Sequence, residues 1–190
     1  MTTERLTQVL RLRQRLVDAT RDFFREHDFL ETPTPIRVSA PALEDYIDAE
    51  PSGDWFLRTS PELHMKRMLA VGCARIFQLG ACFRQGERGR NHLPEFTMLE
   101  WYRLHADHED ILTDTIAYLR HVLTQCLGTA QCPFRGRQID FAGEWDRITV
   151  DEAFRLYADR DVDEAVAQGD FEEILVSRVE PHLGASRPTI

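Results

Sequence analysis

Lysine is almost absent from this chain: Lys66 stands alone against 22 arginines in 190 residues. So one-sided a choice of cation reflects genome composition and carries no function by itself. Long apolar runs are missing too. None approaches the ~20 residues needed to cross a bilayer, which excludes a spanning helix. The N-terminal stretch MTTERLTQVLRLRQRL has no apolar block of the secretory kind. The cysteines, Cys73, Cys82, Cys126 and Cys132, show neither CxxC nor zinc-ligand spacing. With no secretory signal they are expected as reduced thiols in a cytoplasmic protein. Internal repeats and low-complexity tracts are absent. Clustered positive charge is absent as well. The net charge is −9, with 18 basic and 19 acidic residues in 1–139 and 5 basic and 13 acidic in 140–190. A general nucleic-acid surface needs the opposite balance, and the acidic stretch is expected as a solvated face.

What is present is an ordinary globular composition, 43% hydrophobic and 29% charged, sufficient for a buried core without staples. Leu6, Val9, Leu10, Leu16, Val17, Phe23 and Phe24 recur at helical spacing and predict an amphipathic helix from Leu6 to His27. It ends near Asp28, before the proline-broken extended segment Phe29–Pro35. Residues 37–54, with Pro41, Pro51 and Gly53 among acidic residues, read as loop. Trp55–Arg58 reads as a short strand. Thr59, Ser60, Pro61 and Glu62 then form a helix start: a hydroxyl to cap, a proline for the first turn, and an acid at the positive end of the dipole. That helix runs to about Ala70 and Gly72 stops it. Ala74–Arg84 and Glu95–Arg103 read as strands of a long hairpin around QGERGRNHLP. Residues 107–127 read as a helix and 128–143 as a proline- and glycine-bearing connector. Thr149–Ala158, capped by Thr149 or Asp151, and Phe171–Val179 read as helices. The expected class is α+β.

Strand parity carries the chemistry, because side chains alternate between faces. Phe77, Leu79, Ala81 and Phe83 form an apolar face that should meet a helix layer. Gln78, Gly80, Cys82 and Arg84 form a low-relief polar face suited to the floor of a cleft. On the second strand Phe96, Met98, Glu100 and Tyr102 share a face. If Arg84 and Glu100 look into one cleft, it offers a cation, a carboxylate, an aromatic ring and a phenol. Phosphate, amine and purine could be held together there. Taken singly these residues are weak signals. A strand arginine is usually a surface charge, Phe96 could be plain core, Glu62 suits any helix start, and a loop histidine such as His92 is usually solvated. Glu100 between Leu99 and Trp101 is harder to dismiss, since a buried carboxylate is rarely left unpaired.

GACFRQGERGRNHLPEFTMLEWYR, residues 80–103, resembles motif 2 of the class II aminoacyl-tRNA synthetases. WFLRTSPELHMKRMLAVGCARIFQLG, residues 55–80, resembles the preceding segment in their lysine, aspartate and asparagine subgroup. The Leu6–Pro35 region resembles motif 1. The resemblance implies a class II antiparallel sheet flanked by helices, with residues 1–190 as the front of a catalytic domain, motif 1 at about 6–35 and motif 2 at about 80–103. Ser60 with HMKR after it, and the short stretch before motif 1 in place of an anticodon-binding domain, favour the ligases that attach β-lysine to elongation factor P.

By the same resemblance, Arg84 would be catalytic, bridging the ATP α-phosphate and the substrate carboxylate. Phe96 would stack on adenine, and Gln85, Gly86, Glu87, His92 and Leu93 would complete the ATP contacts. Ser60, Pro61 and Glu62 would touch the amino acid, and Glu100 and Tyr102 would recognise its amine. The implied cosubstrates are ATP with Mg2+, and the implied partners are lysine or β-lysine, elongation factor P and a second copy docked through motif 1. Neither tRNA nor a membrane is expected. The pattern departs at Gly86, where a glutamate is usual, and at Leu93, where asparagine often precedes the loop proline. Motif 3 and the acidic residues that hold magnesium are missing from the 190 residues, so no metal ligand is expected in this chain. The stretch is expected to be a truncated core, inactive alone. A piece of a lysyl-tRNA synthetase and a non-catalytic binding module are the other readings.

Overall fold

The computed structural model describes residues 2–42, 44–134, 136–184 and 187–190. Packing divides the chain into two units: Thr20–Leu112 is one, and Met1–Ala19 with Thr113–Ile190 the other. The predicted first helix is present as α1, Thr3–Glu26. Asp28 follows with φ +61°, a left-handed residue that ends the helix.

In the unit Thr20–Leu112, short strands β1 (Leu30–Glu31), β2 (Arg37–Val38), β3 (Pro51–Ser52) and β4 (Trp55–Leu57) precede α2 (Glu62–Ala70). The long strands β5 (Arg75–Phe83) and β6 (Glu95–Arg103) follow. One sheet has the order β1-β5-β6, with β1 parallel to β5 and β5 antiparallel to β6. The expected antiparallel hairpin therefore gains one parallel neighbour. Its apolar face packs as parity requires: Phe77 stacks on Phe24 of α1 at 4.7 Å, and Trp101, its cross-strand partner, stands 5.5 Å from the same ring. Phe23, Phe24, Phe29 and Phe77 are buried there. Burying aromatic side chains of this size is the main driving force for such a core, at roughly 25 cal/mol per Å2 of apolar surface.

The loop expected over 37–54 is not all loop. β2 and β3 flank β4 in a second small sheet. Two-residue strands are too short for any periodicity, and Pro51 sits on an edge strand, where a missing N–H costs nothing. Arg37 ties that sheet with hydrogen bonds of 3.2 and 2.9 Å from Nε and Nη2 to the Ser52 carbonyl.

The other unit holds α3 (His108–Leu127, joined at Thr113), the hairpin β7 (Gln131–Phe134) and β8 (Arg137–Asp140), and helices α4 (Val150–Ala158), α5 (Val162–Gln168) and α6 (Phe171–Ile174). The expected 128–143 connector is thus a hairpin in part, and α5 was not expected. The helix expected over 171–179 is four α-helical residues, then a wider π turn through Leu175–Val179. Leu43 and Arg135 lie outside the described residues. Ala153, Phe154, Ala158, Ala165, Ile174 and Val179 form the helical core, with Phe154 stacked on Phe171 at 5.0 Å. Thr149 caps α4 as predicted, through a full capping box with Glu152.

Candidate functional site

β5 and β6 pair in a register that sets Gln78 opposite Glu100, Gly80 opposite Met98 and Cys82 opposite Phe96. Paired residues share a face, so the residues expected on the cleft floor do lie together. That floor is not bare, however. The Arg58 guanidinium lies over Gly80, where a Cβ would meet Nη2 at 2.7 Å. Arg58 is 4% exposed. Its Nε donates to the Ala81 carbonyl at 2.9 Å, and its Nη1 donates to the Thr34 carbonyl at 2.9 Å and to Thr34 Oγ1 at 2.7 Å. The glycine expected to leave room for a ligand leaves room for this arginine instead. Sequence reading missed Arg58. The available signal was a lone arginine between Leu57 and Thr59 in a strand, a charge that must be met by acceptors if buried.

At one end of the hairpin a carboxylate is fixed by two hydroxyls. Ser60 Oγ donates to Glu100 Oε1 at 2.5 Å and the Tyr102 hydroxyl donates to Glu100 Oε2 at 3.0 Å. The start of α2 positions Ser60, whose Oγ accepts the Glu62 N–H at 3.1 Å. Pro61 is buried at the cap position of α2. Glu62 pairs with Lys66 one turn along. Burial, the charge of Glu100 and the hydrogen bond to it push the Tyr102 phenol well above its ordinary value. Tyr102 therefore stays protonated and remains a donor to Glu100. Of the residues implied for the amino acid, Ser60, Glu100 and Tyr102 form one bonded cluster, with Glu62 joined to it through Ser60.

The other end is cationic. Arg84 follows β5 directly, with its N–H bonded to the Pro94 carbonyl at 2.9 Å. Its guanidinium lies 5.2 Å from the centre of the Phe96 ring, and Nη1 stands 3.7 Å from Glu87 Oε1. Its Nε is buried without a partner. Arg84, Glu87, Asn91, His92, Leu93 and Phe96 line a cavity of about 270 Å3, slightly below the roughly 300–1,000 Å3 of ligand pockets. A base-sized group suits that space. One face of Phe96 already carries the guanidinium, so a stacked base would need the other face. Gly86 has φ +74°, a conformation that glycine adopts without cost. The turn accounts for glycine there. Gln85 is exposed, and its N–H binds the Asp48 carbonyl at 2.8 Å. His92 and Leu93 are exposed on the loop. Among the described residues no three His, Cys, Asp or Glu side chains gather where they could hold a metal ion. All four cysteines are free, and no helix among the described residues is long and apolar enough to cross a membrane.

The hairpin thus carries an arginine at its loop end and, on the cleft face, a glutamate held by two hydroxyls. Comparison with protein families makes the assignment: residues 1–175 match the tRNA synthetases class II (D, K and N), and the chain belongs to that family. The lysine–tRNA ligase of Methanoculleus marisnigri is 36% identical over 164 residues, covering 82% of this chain and 32% of that protein. The lysine–tRNA ligase of Actinobacillus pleuropneumoniae serotype 7 is 33% identical over 162 residues, 83% of this chain and 32% of that protein. That of Nitrosomonas europaea is 30% identical over 176 residues, 90% and 35% respectively. The chain therefore spans about a third of the length of the curated relatives it matches.

Proposed function

We propose that this protein uses ATP to activate lysine or β-lysine as an aminoacyl-adenylate and passes the aminoacyl group to a lysine of elongation factor P. The observation that carries the reading is Glu100 held by Ser60 and Tyr102. A carboxylate bracketed by two neutral donors keeps its charge for an incoming ammonium. On this reading residues 6–35 and 80–103 serve as motifs 1 and 2. Arg84 aligns the substrate carboxylate with the ATP α-phosphorus, using a planar fork that reaches two oxygens and stays charged. The carboxylate oxygen attacks phosphorus, and pyrophosphate leaves. Orientation and charge neutralisation supply most of the acceleration, with little covalent chemistry asked of the protein. Magnesium, when bound, would neutralise phosphate charge, and the described acidic residues offer it no cage of their own.

Leu6, Val9, Leu10, Leu12 and Leu16 are exposed along α1. This apolar stripe suits docking of a second copy. The names of the relatives favour a second reading, transfer of lysine to tRNA. Ser60 and the acidic charge balance support the protein acceptor.

Lysine- and β-lysine-dependent ATP–pyrophosphate exchange, followed by transfer assays with elongation factor P and with lysine tRNA, separates these readings. Label is expected on elongation factor P. Label on tRNA alone would replace the proposal with the lysine–tRNA ligase reading. ATP or lysyl-adenylate analogue binding without exchange would leave a non-catalytic module.

A further inference from the structure

We propose that the pocket between β2, β4 and the start of α2 binds a phosphate monoester, at a site separate from those of ATP and the amino acid. The inference does not depend on the activation reading above.

The pocket measures about 430 Å3, within the roughly 300–1,000 Å3 of ligand sites. Three elements build it. β2 contributes Arg37 and Val38, β4 contributes Trp55, and α2 contributes Leu63, His64 and Arg67. Helical spacing explains why those three α2 residues share a pocket. At about 100° per residue they span one side of the helix, next to the side that carries Glu62 and Lys66. None of these lining residues belongs to the site around Arg84 and Glu100.

The two arginines are available to an anion. The Arg37 guanidinium is already held in place: Nε and Nη2 donate to the Ser52 carbonyl, and its carbon lies 5.6 Å from the centre of the Trp55 ring. Gly53, at φ +66°, leaves room for it, since a Cβ there would meet Nη2 at 3.4 Å. Nη1 makes no bond of its own, and Arg37 has no ion pair among the described residues. Arg67 is exposed, and among the described residues it makes neither a hydrogen bond nor an ion pair.

No acid offsets this charge. Among the described residues that line the pocket, none is acidic. Asp54, beside Trp55, is exposed and makes no ion pair, and Glu62, beside Leu63, is taken by Lys66. The buried Arg58 adds to the positive field. After burial itself, Arg67 and Arg58 hold the His64 imidazole below its ordinary value, so it is neutral at pH 7. Two unpaired guanidiniums therefore line the pocket beside a neutral imidazole.

That charge decides the ligand class. A phosphate monoester carries about −1.5 to −2 charges at pH 7 and three acceptor oxygens, enough for both guanidiniums, whose planar forks match phosphate geometry. A carboxylate has a single charge and would leave one arginine unmet. A nucleic-acid backbone phosphate is a diester with a single charge and fails in the same way. Val38, Trp55 and Leu63 give the organic part of the ester an apolar wall.

The test uses the purified full chain and the variants Arg67→Gln, Arg67→Lys, Trp55→Ala and Arg84→Ala, with thermal unfolding to show that each is folded. Calorimetry measures binding of phenyl phosphate, inorganic phosphate and benzoate. Phenyl phosphate should bind wild type and Arg84→Ala within twofold of each other, which separates the pocket from the ATP position. Arg67→Gln should weaken it roughly 10- to 100-fold, the range of a charged hydrogen bond, and Arg67→Lys should recover part of that loss. Trp55→Ala should weaken phenyl phosphate more than inorganic phosphate. Pyrophosphate exchange should be unchanged in Arg67→Gln. No binding of phenyl phosphate by wild type at millimolar concentration overturns the proposal, as does an Arg67→Gln Kd within twofold of wild type. A loss in Arg84→Ala as large as in Arg67→Gln assigns the ester to the ATP position and also overturns it. Benzoate binding as tightly as phenyl phosphate overturns the phosphate class. Absence of exchange with phenyl phosphate binding intact removes only the activation reading and leaves the pocket standing.

Discussion

The hairpin region and the acidic stretch 140–190 treat polar groups in opposite ways. In the stretch 140–190, many charged groups find partners close in sequence. Thr149 and Glu152 satisfy each other, Asp161 accepts the N–H groups of Asp163 and Glu164, Arg155 pairs with Asp151, and Arg160 pairs with Asp170. Among the described residues there, only Arg160, through Nε, keeps a buried side-chain atom unmet. Around the hairpin, Glu44, Thr59, Gln78 and Arg84 each keep such an atom. Natural folds leave few buried polar atoms unpaired, and the exceptions gather where something else must bind. The contrast marks one region as built to hold itself and the other as built to hold a ligand.

Removing Arg84 should have the largest effect. Arg84→Ala is expected to lower adenylate formation by about 10²–10³ or more, the scale of losing one electrostatic donor to a transition state. Its thermal unfolding should match wild type, because the side chain ends a strand and buries little apolar surface. Exchange near the wild-type rate would break the comparison at its strongest point.

Glu100→Gln keeps the shape and removes the charge. Lysine affinity should fall by about 1.5–3 kcal/mol, with ATP affinity unchanged. Equal losses for the two ligands would give Glu100 a purely structural role.

Gly80→Ala probes the part of the hairpin that serves the fold. The added methyl meets Arg58 Nη2 at 2.7 Å and must displace a guanidinium held by three hydrogen bonds. A loss of about 1–3 kcal/mol in denaturant unfolding is expected, as for other overpacked sites. A neutral substitution would mean that Arg58 has room to move.

The smallest effect is expected in the acidic stretch. Thr149→Ala removes the α4 cap and should cost about 1 kcal/mol without touching exchange activity. Bonds from the Thr149 N–H and hydroxyl hold the Glu152 carboxyl below its ordinary value. A group with a lowered folded value stabilises above its unfolded value, and the contribution is lost as pH falls through the folded one. Acid titration of stability in the low carboxylate range should therefore be flatter in Thr149→Ala than in wild type. The backbone N–H bond, the larger cause, survives the substitution, so an unchanged acid limb would remove only the Thr149 hydroxyl as a cause.

The expectations that the structure meets are local. α1, the start and stop of α2, both hairpin strands and the Thr149 cap all follow from spacing, turn residues and capping chemistry within a few positions. The misses have the same origin. β2 and β3 are two residues long and exist only because β4 lies between them, so no run of sequence announces them. The hairpin β7–β8 has little apolar alternation, with Ile139 as its buried side chain. Residues 37–54 read as loop, and nothing in the sequence beside Glu44 distinguishes it there from Asp45.

By itself the sequence determined which face each hairpin side chain takes, because alternation is a property of the extended backbone. It also placed Arg84 at a strand end and Ser60 at a helix start. Only the tertiary structure decided that Ser60 donates to a carboxylate 40 residues away, that Arg58 fills the space above Gly80, and that Glu44 is left with an unmet buried oxygen. Periodicity and capping act over one or two turns, whereas burial and charge pairing depend on which distant segments the folded core brings together.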